Sequence, residues 1–218
     1  ILKENSIYFE IIGKTQKDSL DLEKEFKIKL SELIKINSFW FENFFNAAKS
    51  RNVQLLVKLS AYGAAVNAPS EVLRGHGRSD NALIASGVPY TILRPNTFYQ
   101  NMLWYAESIQ STRSFFLPLG DSKQSQVDVR DLAEATVRIL SEPGHENRIY
   151  ALTGPESISH HDIADVISQT FSKTITYVSV PPEVARASML RAGMPEWNAD
   201  AIVDIMAAFA TGRYANVE

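Results

Sequence analysis

An α/β fold is what this sequence predicts: a parallel sheet with helices on both faces, followed by a small, mainly helical C-terminal lobe. Three observations lead there. Strand-like and helix-like segments alternate along the chain, the pattern of a parallel sheet wound with crossover helices. The strand-like runs are nearly all apolar, as strands buried on both faces must be. The last sixty or so residues carry mostly helical patterns. An α+β arrangement is the alternative.

The elements follow in order. Ile7–Ile12 is a short β-branched and aromatic run, read as a strand. Ser19–Ile36 places Leu22, Phe26, Leu30, Leu33 and Ile34 near one helix face. Ser38 is a suitable N-cap for a second helix through Lys49. Val53–Leu59 reads as a buried strand, and His76–Ser86 as a helix stopped by Gly87. Pro89–Arg94 is a strand ending at Pro95, with a helix expected over Thr97–Gln110. Further on come a helix at Asp128–Leu140, a strand at Ile149–Leu152, a helix from the Ser159 cap to Phe171 and a strand at Thr174–Val178. Pro182–Ala192 and Pro195–Thr211 are helices that begin with proline, whose missing N–H costs nothing there.

Composition narrows the function classes. The chain has 218 residues, a net charge of -3 and no cysteine. No basic surplus argues for nucleic acid. Thiol nucleophiles, disulfides and Cys-ligated metals are excluded. No run of ~18 apolar residues suggests a membrane span, and no leader pattern is visible. The expected setting is the cytoplasm. Composition breaks near residue 50: eight lysines and no arginine precede it, three lysines and eleven arginines follow. The start, at Ile1, reads as a truncation or a divergent segment.

Ligands of a parallel sheet sit beyond the carboxyl ends of its strands. Three loops leave such ends: Ser60–Arg74, Pro95–Asn101 and Thr153–Glu156. A glycine-rich phosphate loop is missing from the pattern, since Gly13 is the only glycine before Gly63. Gly75-His76-Gly77 follows a long loop and lacks a third glycine. Ser60 either faces a ligand or bonds the turn backbone. His76, near the expected helix start, has Ser79 and Asp80 three and four residues on. It is either a proton shuttle paired with Asp80 or a surface residue capping the helix. The run Arg94–Asn101 is dense in amides and aromatics that can grip a planar ring, with Asn96 or Thr97 as helix cap. His160-His161-Asp162 reads as helix N-terminal polarity, because adjacent imidazoles diverge on a helix. The lysines of 14–29 alternate with acids, as on a solvated helix face.

Four stretches together carry a resemblance: AAKSRNVQLLVKLSAYGA, HGRSDNALIASGVPYTILRPNTFYQNM, FLPLGDSKQSQVDVRDLA and YALTGPESIS. They resemble the NmrA-like family of atypical short-chain dehydrogenases/reductases, over roughly three-quarters of the chain. Ala192–Trp197 is similar to the AGMPEW-type stretch of its quinone-oxidoreductase-type members. The resemblance implies a Rossmann-type domain, incomplete at its N-terminus, over 1–154 and a substrate-side lobe over 155–218. It implies NADP or NAD as cofactor, NADP favoured, and hydride transfer to a quinone or similar small acceptor. His76 would position the cofactor or donate a proton, with Asp80 orienting it. Ser60, Ala61 and Pro95 would flank the cofactor, and Phe98, Tyr99, Gln100 and Asn101 would line its nicotinamide half. The implied partner is a small-molecule substrate, with a homodimer or a regulatory protein partner beside it. The Tyr-x-x-x-Lys dyad of the wider superfamily is absent: His76 and Asp80 keep its spacing without its chemistry. A non-catalytic NAD(P)-sensing regulator and a degenerate structural subunit are therefore the alternatives.

Overall fold

The computed structural model describes residue 41 and residues 43–218. The strand expected at Ile7–Ile12 and the helix at Ser19–Ile36 lie outside the described residues. The helix expected to end at Lys49 is present over 43–50 (α1).

A parallel three-stranded sheet follows, ordered β1-β2-β5. It is built from Leu56–Leu59 (β1), Tyr90–Pro95 (β2) and Arg148–Leu152 (β5). Leu56 stands opposite Tyr90 and Leu59 opposite Leu93, while Arg94 stands opposite Ala151. Helix α2 (Glu71–Ser86) joins β1 to β2 and ends on Gly87 in the left-handed conformation. Side chains alternate along a strand. Leu56 and Ile92 therefore point with Leu83 of α2 and Phe45 and Ala48 of α1 into one apolar cluster. Two residues further along, the same face carries Lys58 and Arg94.

The expected start of α2 at His76 is corrected to Glu71, which puts His76 in the second turn. The cap comes from far along the chain. An Asp204 carboxylate oxygen accepts from the Ser70 hydroxyl at 2.7 Å and from the Glu71 N–H at 2.8 Å. Gly77 is a packing residue: a Cβ there would lie 2.3 Å from the Ala65 carbonyl carbon.

After β2 the expected single helix divides into a 3₁₀ segment, Tyr99–Tyr105, and a short helix α3, Ala106–Thr112. The expected capping by Asn96 or Thr97 does not occur, because Phe98 stands at that N-cap without a side-chain bond. Strand β3 (Ser114–Leu117), which the sequence reading missed, pairs in parallel with β7 (Thr176–Ser179). Between them lie β4 (Lys123–Gln124), which pairs with β6 (Ile158–Ser159), and helix α4 (Val129–Ser141), capped by Asp128. Helix α5 (His160–Phe171) starts on a capping box between Ser159 and Asp162. Helices α6 (Pro182–Arg191) and α7 (Glu196–Phe209) complete the lobe. Its core gathers Phe115, Leu117, Ile163, Ile175 and Tyr177.

Candidate functional site

Lys58 is a cation in the middle of an otherwise apolar strand, and the fold buries it almost completely. Such a charge needs a partner. Asp80 on α2, with no exposed surface, provides it: its Oδ1 accepts from Lys58 Nζ at 2.7 Å. Its Oδ2 accepts from Ser60 Oγ at 2.9 Å and from Arg94 Nε and Nη2 at 3.1 and 2.9 Å. Burial lowers the Lys58 pKa, and the Asp80 carboxylate opposes that shift. The Lys58 ammonium also faces the Phe41 ring, 5.8 Å from its centroid.

This network corrects the expected pairing of His76 with Asp80. Both carboxylate oxygens are taken by β1, β2 and Ser60, and the His76 imidazole makes no hydrogen bond among the described residues, only its backbone carbonyl accepting from Ser79 Oγ at 3.2 Å. Burial, reinforced by the Lys58 charge, lowers the His76 pKa to about 4. The imidazole is neutral at neutral pH. Ser60 neither points to open space nor bonds the turn backbone with its hydroxyl: its Oγ serves Asp80.

The three strand-end loops converge. The Tyr62 N–H donates to Pro95 O at 2.8 Å, and the Asn96 N–H donates to Leu152 O at 2.9 Å. A C-terminal segment, Tyr214–Glu218, laces them together. Asn96 Nδ2 donates to Tyr214 O and to Ser125 Oγ, both at 2.9 Å. Ser125 Oγ donates onward to Asn216 O. Thr153 Oγ1 exchanges hydrogen bonds with the Glu218 backbone, and Tyr62 OH donates to Glu218 Oε1 at 2.8 Å.

At the ends of β2 and β5, beside the Tyr62–Gly63 turn and the tail, lies a cavity of about 380 Å³, lined by Tyr62, Gly63, Arg94, Ala151, Arg213, Tyr214 and Glu218. The Tyr62 and Tyr214 rings meet edge to face, centroids 6.3 Å apart. Gly63, at a φ of 77°, lets the Tyr214 ring approach, since a Cβ would lie 2.4 Å from its Cε1. Burial raises the pKa of both tyrosines, so their hydroxyls stay protonated at neutral pH.

The other expected site residues are placed as follows. Ala61 packs with Leu73 and Tyr214, and Pro95 is buried at the end of β2. Phe98 bridges to Val127, while Tyr99 and Asn101 stay half-buried in the 3₁₀ segment. Gln100 is used by α4: its Nε2 donates to Asp128 Oδ1 at 2.8 Å and its Oε1 accepts from the Val129 N–H. The cavity lining thus contains none of Ser60, His76 or 98–101. It contains Tyr62, from the candidate loop after β1, and Arg94, the first residue of the expected ring-gripping run, together with Arg213 and Tyr214, which no sequence signal singled out. The signal for the buried cluster was the lone lysine in VQLLVKL; the signal for the tail was absent, because nothing local marks it.

Comparison with known proteins settles the ancestry. The sequence pattern of the NmrA-like family matches residues 80–218, and that of an NAD(P)H-binding family matches 12–143. The chain belongs to the NmrA-like family. It is 37% identical over 161 residues to an NAD(P)H azoreductase of Xenophilus azovorans, covering 74% of this chain and 56% of that protein. It is 28% identical to quinone oxidoreductase 2 of Escherichia coli (strain K12), over 74% of this chain and 56% of that one. A crystal structure of an NADPH-dependent quinone oxidoreductase from Escherichia coli, complexed with NADPH, superposes with a TM-score of 0.73. That match has 27% identity and covers 79% of this chain and 60% of the other. The fold is thus of the Rossmann type. The chain spans 56% to 61% of the length of three of the curated relatives it matches. Among the described residues no helix is long and apolar enough to cross a membrane.

Proposed function

We propose that the protein is an NAD(P)H-dependent oxidoreductase that reduces a quinone, an azo compound or a similar small conjugated acceptor at the carboxyl ends of β1, β2 and β5. The observation that carries this reading is a cavity at the carboxyl ends of β2 and β5, lined by Arg94, Ala151, the Tyr62–Gly63 turn and the tail residues Arg213, Tyr214 and Glu218, with two aromatic walls and two guanidinium groups. That is where a parallel sheet receives its ligand. Family membership supports the cofactor, with NADP favoured. Of the cavity residues, Tyr62 and Tyr214 offer the flat aromatic surface against which a nicotinamide would fit.

When bound, a reduced nicotinamide supplies a hydride, and the reduced acceptor then takes up a proton. The chain's part is to exclude water, hold the acceptor flat and keep protons available. Tyr62 and Tyr214 present protonated hydroxyls at the cavity, and Tyr62 is already engaged as a donor. His76, uncharged at neutral pH, would serve as a neutral hydrogen-bonding group and does not act as a cationic acid. Asp80 is a positioning residue that fixes Lys58, Ser60 and Arg94. Of the described residues, those up to 154 would belong to the dinucleotide-binding domain and 155–218 to the substrate-side lobe, to which β3 lends a strand. The proposed setting is the cytoplasm, with a homodimer or a regulatory protein partner beside the small-molecule substrate.

The test is NADPH binding followed by steady-state oxidation with 1,4-naphthoquinone and an azo dye, read by loss of nicotinamide absorbance. Binding with turnover of either acceptor is expected. Tight NADPH binding without turnover of any acceptor would assign the protein to the non-catalytic sensing class instead.

A further inference from the structure

The cluster beneath the cavity is out of balance. Lys58 and Arg94 share one carboxylate, Asp80, and both oxygens of that carboxylate are already committed. A buried charge lacking its full complement calls for a counter-ion. Arg94 is the member that reaches outward: its side chain is 27% exposed, against 3% for Lys58, and it borders the cavity. Its Nε and Nη2 are used by Asp80, while its Nη1 makes no hydrogen bond among the described residues. Arg213, on the same cavity, has no ion pair or hydrogen bond among the described residues. One carboxylate does enter the space, that of Glu218, but Tyr62 takes it, and no ion pair joins it to either arginine. Two guanidinium groups therefore border a cavity walled by two aromatic rings, and among the described residues neither is paired with the Glu218 carboxylate that shares it.

We propose that this cavity binds a planar aromatic acceptor through a negatively charged substituent, a sulfonate or carboxylate held between Arg94 and Arg213. The rings of Tyr62 and Tyr214 take the flat body, and the guanidinium N–H groups take the anion in the forked geometry they favour. This rests on the oxidoreductase reading for its purpose, though not for its binding chemistry.

The test is calorimetric binding of 1,4-naphthoquinone-2-sulfonate and of uncharged 1,4-naphthoquinone to the full chain, with and without NADPH. The sulfonated compound is expected to bind more tightly, and less so at raised salt. In Arg213→Gln its Kd should rise about tenfold or more, the loss of a charge-assisted hydrogen bond. The neutral quinone should lose much less. Glu218→Gln, which removes a competing negative charge, should tighten the sulfonate. Equal losses for both quinones, no loss for either, or a sulfonate that binds no better than its parent would overturn the proposal. A fall in NADPH affinity alone in Arg213→Gln would also overturn it, by showing that the anion is the cofactor's phosphate. If sulfonate binding depends on Arg213 while no quinone is turned over, the subsite stands and the oxidoreductase reading fails.

Discussion

The strand-end region and the C-terminal lobe bury ionisable groups in opposite ways. At the strand ends, Lys58 and Asp80 are paired, hydrogen-bonded and shared with Arg94. In the lobe, His160 sits among Phe115 and Tyr177, its Nδ1 without a hydrogen-bond partner among the described residues, and burial lowers its pKa to about 4. It is a neutral aromatic plate in an apolar core. The lobe tolerates a polar group by keeping it uncharged. The sheet instead keeps charge in its interior and surrounds it with partners. That arrangement costs desolvation and gives little stability in return, so it makes sense where charge is wanted at a ligand.

The sharpest way to break this comparison is Asp80→Asn. It leaves Lys58 and Arg94 without their carboxylate, and the expected loss is about 3–5 kcal/mol in urea unfolding. A loss under about 1 kcal/mol would mean that the two cations find other partners. Next comes acidity. His76 and His160 both have folded-state pKa values near 4, below the ordinary 6.5. Between those values the unfolded chain binds more protons than the folded one, so stability falls as pH drops from about 6.5 towards 4. His76→Gln and His160→Gln should each flatten the dependence of the urea midpoint on pH across that window. A curve unchanged by both substitutions would contradict the burial argument. Gly77→Ala sets the helix preference of alanine against a Cβ pressed on the Ala65 backbone. The clash should win, costing about 1–3 kcal/mol by thermal unfolding. In the lobe, Ser159→Ala removes one half of the α5 capping box and should cost about 1 kcal/mol without altering ligand binding.

Much of the sheet was legible because its signals are local. VQLLVKL and PYTILR read as buried strands, Gly87 marked a helix end, and Ser159 with Asp162 announced the start of α5. What stayed hidden depends on distant partners. β3 is four residues long and becomes a strand by pairing with β7, some sixty residues later. Helix α2 begins after Ser70, with Glu71 acidic in its first turn, a local signal that the expected start at His76 passed over; the hydrogen bonds that complete the cap come from Asp204 of α7. At the site, the three loops were found from topology, and His76 and Asp80 from spacing. Spacing implied that those two face each other. The strand pleat decided otherwise, since it aims Lys58 and Arg94 at Asp80 first. The tail Tyr214–Glu218 closes the site through backbone groups, which carry no residue-type signature.

The most direct test is a crystal structure with NADPH and 1,4-naphthoquinone-2-sulfonate both bound. The account predicts the quinone ring against Tyr62 and Tyr214, its sulfonate between Arg94 and Arg213, and the nicotinamide beside it at the ends of β1 and β2. Finding both ligands elsewhere, with the space between the two arginines left to solvent, would contradict it.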